Sequence, residues 1–389
     1  MSGSFSIISF ENEKKHRLYA VGLIILIFMP IAVSYALFRY QPSLFYFRAW
    51  EYLMEVLHPN PNMPQVWEGV ELGDMSRSYL FRFQEPRHTR VSIDADGFRR
   101  VPYETNRYEI VAYGDSQGFG SGLSDHETFP WKLAVKLGKP VFNGTRSNTP
   151  ESLLAKQELK DARIIIDVVQ SYAVSIKSYF PANFTIKEYV PLRKAVWPVT
   201  VKRFNPFAIL MRMIKGLVHD VFVGAKGINE YMCEKEYRIP YFDQDRNKIV
   251  LTGDPDIEND MAKQIDMIDQ YNQRLKKLGY VYVLVLVPRR DLLYADSMDD
   301  FTKSYFPRLI RLLEAKGVHA VDLQDDFLAN KNLGLYFRTD THWNARGTEI
   351  AADRVADYLQ KKGIIRSSEM ASKRTSLKIN PVQSSYGVQ

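Results

Sequence analysis

Short apolar runs bounded by chain breakers alternate with longer amphipathic stretches over most of the chain. "YEIVAYG" (108–114), "KPVFNG" (139–144), "ARIIIDVVQ" (162–170), "YVYVLVLVP" (280–288) and "VHAVDL" (318–323) are rich in β-branched and aromatic residues. Runs of this length and composition predict buried strands of a mostly parallel sheet. Between them "TFPWKLAVKLG", "DMAKQIDMIDQYNQRLKKLG", "FPRLIRLLEAKG" and "ARGTEIAADRVADYLQKKG" carry helical periodicity and close at Gly138, Gly279, Gly317 and Gly363. A glycine just past the last apolar position is a helix stop, and strand–helix alternation of this kind predicts an α/β sandwich.

Two stretches depart from that rhythm. Leu18 to Phe38 is 21 residues without a charge, apolar on every side. A segment of that length spans a bilayer as a helix, whereas a globular helix keeps a polar face. Lys14, Lys15 and Arg17 precede it and Arg39 and Arg48 follow. The basic bias predicts a cytoplasmic N-terminus, with everything after about residue 40 on the far side of the membrane, periplasmic or extracellular. A cleaved signal peptide is the competing reading, with Ser34-Tyr35-Ala36 as its cleavage site. The run is longer than the roughly 7–15 apolar residues of a signal core, which favours a retained single-pass anchor. The second stretch, 171–258, is rich in aromatic and basic residues and reads as an insertion or cap, or as a surface facing membrane or partner. These boundaries divide the chain into a cytoplasmic N-terminus (1–17), an anchor (18–38), a linker or entry region (39–90), a catalytic domain (91–365) and a polar tail (366–389).

Composition narrows the function classes. Lys and Arg outnumber Asp and Glu by 52 to 45, but the formal +7 is spread along the chain without a basic block. That is a solvated surface, and nucleic acid is not an expected partner. Cys233 is the only cysteine, so no intrachain disulfide forms, and a structural role for it is expected over a nucleophilic one. No cluster of His, Asp or Glu has metal-ligand spacing, so no metal and no cofactor is expected.

The candidate chemistry lies at two strand ends. Ser116 follows the strand ending near Gly114, with further glycines at 118, 120 and 122. In open α/β sheets ligands meet the chain beyond the carboxyl ends of strands, and glycines there permit a sharp turn with close backbone approach. A dinucleotide-binding loop would need glycine at 123, which is Leu123. A serine hydroxyl becomes a nucleophile when a base takes its proton. His342 in "LYFRTDTHWNARG" is the candidate base, and Asp340 two residues before it shares its side of an extended segment. Asn344 then reads as a helix N-cap, with Ala351, Val355 and Leu359 on the inner face. A helix-entry histidine bonded to backbone is the bland alternative.

"GDSQGFGSGLSDHETFPWKLA" resembles the first block of the SGNH (GDSL-type) hydrolase superfamily, "VFNGTRSNTPESLLA" the second and "RTDTHWNARG" the last. The resemblance covers roughly residues 90–365 and implies a three-layer α/β/α sandwich preceded here by one transmembrane helix. It implies Ser116 as nucleophile, His342 as base and Asp340 as its orienting acid, with Gly144 a backbone oxyanion donor. Two departures are visible. The superfamily places Asp three residues before His, where this chain has Thr339. The "DTHW" form is instead similar to periplasmic O-acetyltransferases of alginate and related exopolysaccharides, although in those proteins the Asp-His motif precedes the serine. The usual Gly-x-Asn-Asp block is replaced by "IIIDVVQSY", so Gln170 or Asn148 is the candidate for the missing oxyanion donor. Arg146 and Trp343 are candidate substrate contacts, each with a plain packing or surface alternative.

The activity implied by the resemblance is that of a membrane-anchored serine acyl-transfer enzyme that O-acetylates a cell-envelope or exported polysaccharide. Its implied partner is a membrane-bound O-acyltransferase or another acyl-donor membrane protein. A periplasmic glycan esterase using the same residues is the first alternative, and a non-catalytic envelope scaffold the second.

Overall fold

The computed structural model describes residues 4–40, 65–73, 85–94, 96–103, 105–145, 153–170, 228–233, 238–242, 257–294 and 300–365, together with the helical positions 211, 214 and 218. Helix α1 (Ser4–Tyr40) contains the charge-free run and keeps Pro30 inside it. Within it, residues 12–37 are long and apolar enough to cross a membrane. The Ser34 hydroxyl donates to the Pro30 carbonyl at 2.6 Å.

Strands β1 (Gln65–Glu71) and β2 (Arg87–Ile93) form an antiparallel pair in which Glu71 stands opposite Arg87. The region expected as a linker or an entry to the main domain up to residue 90 therefore contains strand structure, in keeping with the second, and β2 crosses the expected boundary. Alternation over these strands is incomplete, which hid them from a periodicity reading.

The central sheet is built from β3 (Ile110–Gly114), β4 (Val141–Asn143), β5 (Ile164–Gln170), β8 (Val281–Val287) and β9 (His319–Asp322). A separate antiparallel pair, β6 (Ile228–Met232) and β7 (Arg238–Phe242), lies between β5 and β8 in sequence. All five central strands pair in parallel, in the order β4-β3-β5-β8-β9, and each falls within one of the five predicted runs.

Helices cover both faces. On one side α3 (Phe129–Leu137) and α8 (Ala345–Lys361) bury Leu133, Leu137, Ala351, Val355 and Leu359 against Ile110, Ala112, Ile166 and Val285. On the other, α4 (Ile257–Lys277) and α6 (Asp300–Ala315) bury Ile268, Leu275, Leu309 and Leu313 against Val111, Ile165, Leu284 and Leu286. Alternate residues of each strand feed opposite cores, as the pleat requires for a sheet covered twice. This is the expected three-layer α/β/α sandwich.

Helix ends follow the predicted chemistry. Thr128 caps α3 and Gly138 closes it in the left-handed region at φ 61°. Asn344 caps α8, its side chain accepting from the N–H groups of Arg346 and Gly347. The short helices α2 (Ser116–Phe119), α5 (Arg290–Tyr294) and α7 (Gln324–Ala329) follow β3, β8 and β9. From β3 the chain moves outward to β4 and then returns to β5 on the other flank of β3, which leaves a switch point between β3 and β5. Crevices form outside the carboxyl ends of strands at such points.

Candidate active site

Ser116 stands at that crevice, two residues beyond β3. Gly114 makes the turn possible: its φ is 138°, and a Cβ there would lie 2.1 Å from the Val168 carbonyl oxygen. Asp115 then caps α2, its carboxylate accepting from Gln117 N–H at 2.8 Å and from Gln170 N–H, at the end of β5, also at 2.8 Å. Burial pushes the Asp115 carboxyl up, and the N–H groups of Gln170 and Gln117 pull it back down. The residue beside the candidate nucleophile thus ties two strand ends together. Arg99 fixes the far side of the same turn, with Nη1 donating to the Gly120 carbonyl at 2.7 Å and Nε to Asp125 Oδ1 at 2.9 Å. Asp125 in turn accepts from Ser92 N–H at 3.0 and 3.1 Å, so it shapes the loop before α3.

The Asp340 and His342 loop arrives from the other end of the chain, immediately before α8. His342 Nε2 lies 2.6 Å from Ser116 Oγ and Nδ1 lies 2.5 Å from Asp340 Oδ1. A carboxylate can only accept, so it holds the ring hydrogen on Nδ1 and leaves Nε2 to accept from the serine hydroxyl. Asp340 is fully buried and His342 nearly so, while Ser116 is exposed. The line of three groups therefore runs from the interior to an open hydroxyl.

Three residues that the motif reading did not single out hold this loop. Arg87, at the start of β2, donates from Nη2 to Asp340 Oδ2 at 3.1 Å. The buried Arg290 of α5 donates from Nη1 to the Asp340 carbonyl at 2.9 Å. Gln117 latches the two loops directly. Its Oε1 accepts from Trp343 N–H at 3.2 Å, its Nε2 reaches the Thr341 carbonyl at 3.4 Å, and its own carbonyl accepts from Trp343 Nε1 at 3.1 Å. Gln117 was legible only as the neighbour of Ser116; Arg87 carries no local signal, being more than 250 positions from its partner.

Several expected contacts change. Trp343 offers no sugar platform: it is fully buried, with ring centroids of Phe129 and Phe327 at 6.1 and 6.3 Å. An aromatic ring that lines the serine–histidine latch packs before it binds. The Gly144 N–H donates to the Ala112 carbonyl at 2.8 Å as an extension of the β3–β4 ladder, so it is not directed at Ser116 in this structure. Gln170 sits at the site through its backbone N–H. The N–H of Ser116, at the first position of α2, has no acceptor within the helix. Arg146 and Asn148 lie outside the described residues, as does most of 171–258. Cys233 is buried, and burial pushes its thiol up, away from a reactive thiolate. Among the described residues no group of three His, Cys, Asp or Glu side chains is placed to hold a metal.

Beneath the turn, Asp167 of β5 is buried with its Oδ2 accepting from Tyr282 Oη at 2.9 Å. Burial raises its carboxyl to about 7, Tyr282 lowers it, and the charge of Asp115 raises it further.

Parts of this chain match known proteins. A family model described as the SGNH hydrolase-like domain of the acetyltransferase AlgX matches residues 248–387, the part that carries Asp340 and His342. A probable alginate O-acetylase AlgJ of Pseudomonas syringae pv. tomato is 31% identical over 111 residues, covering 27% of this chain and 28% of that protein. A second, from Pseudomonas fluorescens, is 28% identical over 133 residues, covering 31% and 32%. The chain thus matches about a third or less of the length of these relatives. Among solved structures, a G-D-S-L family lipolytic protein from Desulfitobacterium hafniense aligns at 12% identity and TM-score 0.31, covering 64% of this chain and 98% of that one. A Bacillus subtilis protein aligns at 13% identity and TM-score 0.34, covering 78% and 76%.

Proposed function

Starting from an SGNH hydrolase-like domain similar in sequence to alginate O-acetylases, we propose that this chain is a serine O-acyltransferase that acetylates an exported polysaccharide of the alginate class. The observation that carries the proposal is the continuous hydrogen-bonded line from Asp340 through His342 to the exposed Ser116 hydroxyl, at 2.5 and 2.6 Å.

In this reading Ser116 Oγ attacks the carbonyl carbon of an acyl donor while its proton passes to His342 Nε2. Asp340 holds the imidazole hydrogen on Nδ1 and stabilises the imidazolium as it forms. Negative charge develops on the carbonyl oxygen, and this reading assigns the Ser116 N–H as a donor to it. His342 then gives its proton to the departing group, leaving acyl-Ser116. A sugar hydroxyl attacks that ester, its proton goes to His342, and the returning proton releases Ser116. Water in place of the sugar would give an esterase with the same residues.

The apolar stretch 12–37 supports a membrane anchor that keeps the domain on the periplasmic side of the inner membrane. There the reading assigns it a membrane-bound O-acyltransferase, or another acyl-donor membrane protein, as source of the acyl group, and a polysaccharide as acceptor. The experiment uses the full chain in detergent with p-nitrophenyl acetate. Nitrophenol release that accelerates when mannuronate oligosaccharides are added, with acetyl appearing on the sugar, is the expected result. Release that ignores the sugar and yields only acetate would make the enzyme an esterase. Equal release by wild type and Ser116→Ala would remove the enzymatic reading.

A further inference from the structure

We propose that Arg87, from the β1–β2 hairpin outside the sheet, is a positioning residue that holds Asp340 in line with His342 and sets the charge balance of the serine–histidine–aspartate line. The inference rests on the catalytic reading of that line. Four observations meet at one atom group. Arg87 Nη2 donates to Asp340 Oδ2 at 3.1 Å, the oxygen that His342 does not use. The guanidinium lies over the Phe337 ring, with its carbon 3.5 Å from the centroid, so the plane is fixed as well as the charge. Its Nε and Nη1 are buried without a hydrogen-bond partner among the described residues. Space for it comes from the serine block itself: a Cβ at Gly122, where φ is +80°, would lie 2.9 Å from Arg87 Nη2 and 3.4 Å from Asp340 Oδ2.

Burying a guanidinium with two of its three nitrogens unbonded there is costly, and an isolated buried ion pair does little for stability. The arrangement makes sense through what it does to Asp340. A charge-assisted bond on Oδ2 opposes rotation of the carboxylate away from Nδ1 and sets a positive charge against the buried Asp340. Arg290 meets Asp340 at its backbone carbonyl, and the His342 N–H donates to Oδ1 at 3.1 Å, while Arg87 is the cation on Oδ2. The other charged groups facing this line are Asp115, which acts on His342 through space, and Asp291 with its partner Arg289 next to Arg290. Across the hairpin, Glu71 is buried opposite Arg87. Among these groups Arg87 is the cation bonded to the Asp340 carboxylate.

The test compares wild type, Arg87→Gln, Arg87→Lys and Ser116→Ala as full-length proteins in detergent, with melting curves to verify folding. Arg87→Gln is expected to lower kcat by about ten- to a hundredfold with little change in KM, the equivalent of one charge-assisted hydrogen bond. Arg87→Lys restores charge without the planar stack, so it should recover only part of kcat. Independently of turnover, the downfield imidazole Nδ1–H resonance of His342 in selectively labelled protein should broaden or vanish in Arg87→Gln and return in Arg87→Lys. An unchanged resonance and an unchanged kcat in a folded Arg87→Gln would overturn the inference. A wild type no more active than Ser116→Ala, with the resonance still responding to Arg87, would sink the enzymatic reading and leave the positioning contact standing.

Discussion

Replacing Asp167 by Asn should stabilise the protein, and by an amount that depends on pH. In the fold the Asp167 carboxyl is raised from 3.8 to about 7, chiefly by burial, with the charge of Asp115 adding to it. At 1.36 kcal/mol per unit that difference is worth about 4 kcal/mol. The sign follows from proton counting. Below about pH 3.8 native and unfolded chains both carry the proton, and no penalty exists. Between there and about pH 7 the unfolded carboxyl ionises while the native one holds its proton, so stability falls as pH rises. Above that range the full penalty is present. Asparagine keeps an acceptor for Tyr282 Oη and cannot ionise, so it is spared the loss. Urea unfolding of the full chain, followed by tryptophan fluorescence from pH 4.5 to 8, should show the Asp167→Asn variant gaining on wild type until about pH 7 and levelling off. The plateau should be roughly 1–2 M urea in midpoint. Asp115 is also raised by burial, and because its charge acts on Asp167, the difference between the two proteins contains the Asp167 proton together with its coupling to Asp115. A difference that is flat with pH, or that shrinks as pH rises, would refute the assignment of a proton to Asp167.

Three further outcomes are expected. Gln117→Ala strips the Trp343 N–H of its buried acceptor, which should cost about 1–3 kcal/mol in unfolding and lower kcat more than it raises KM. Trp343→Ala empties a fully buried site between Phe129 and Phe327 and should destabilise by about 3–5 kcal/mol, read as lost midpoint in the same urea assay. Asn344→Ala removes the side chain that accepts from Arg346 and Gly347 N–H, for a loss of about 1 kcal/mol visible as a lower melting temperature with turnover largely kept.

The sheet and its helices were legible because burial on both faces writes itself as continuous apolar runs, and the stops at Gly138, Gly279, Gly317 and Gly363 mark where each helix must end. The serine and histidine blocks were legible for a different reason: each is a local pattern at a strand or helix end. What escaped is non-local. Arg87 meets Asp340 across more than 250 positions, and Arg290 reaches the Asp340 carbonyl from α5; spacing says nothing of either. Trp343 was ambiguous because an aromatic beside a histidine has the same sequence signature whether it faces sugar or core. Its burial follows from the latch with Gln117, a contact made by two loops 226 positions apart. Gly144 misled because the ladder between β3 and β4 runs one residue past Asn143 and takes its N–H.

The most direct test of the central claim is whether Ser116 carries the acyl group. Full-length protein mixed with p-nitrophenyl acetate, quenched in acid within seconds and digested for mass spectrometry, should yield the peptide containing Ser116 with one added acetyl, and none in Ser116→Ala. Adding an oligosaccharide acceptor before the quench should deplete it. Acetyl found elsewhere, or the same labelling in Ser116→Ala, would contradict Ser116 as the nucleophile.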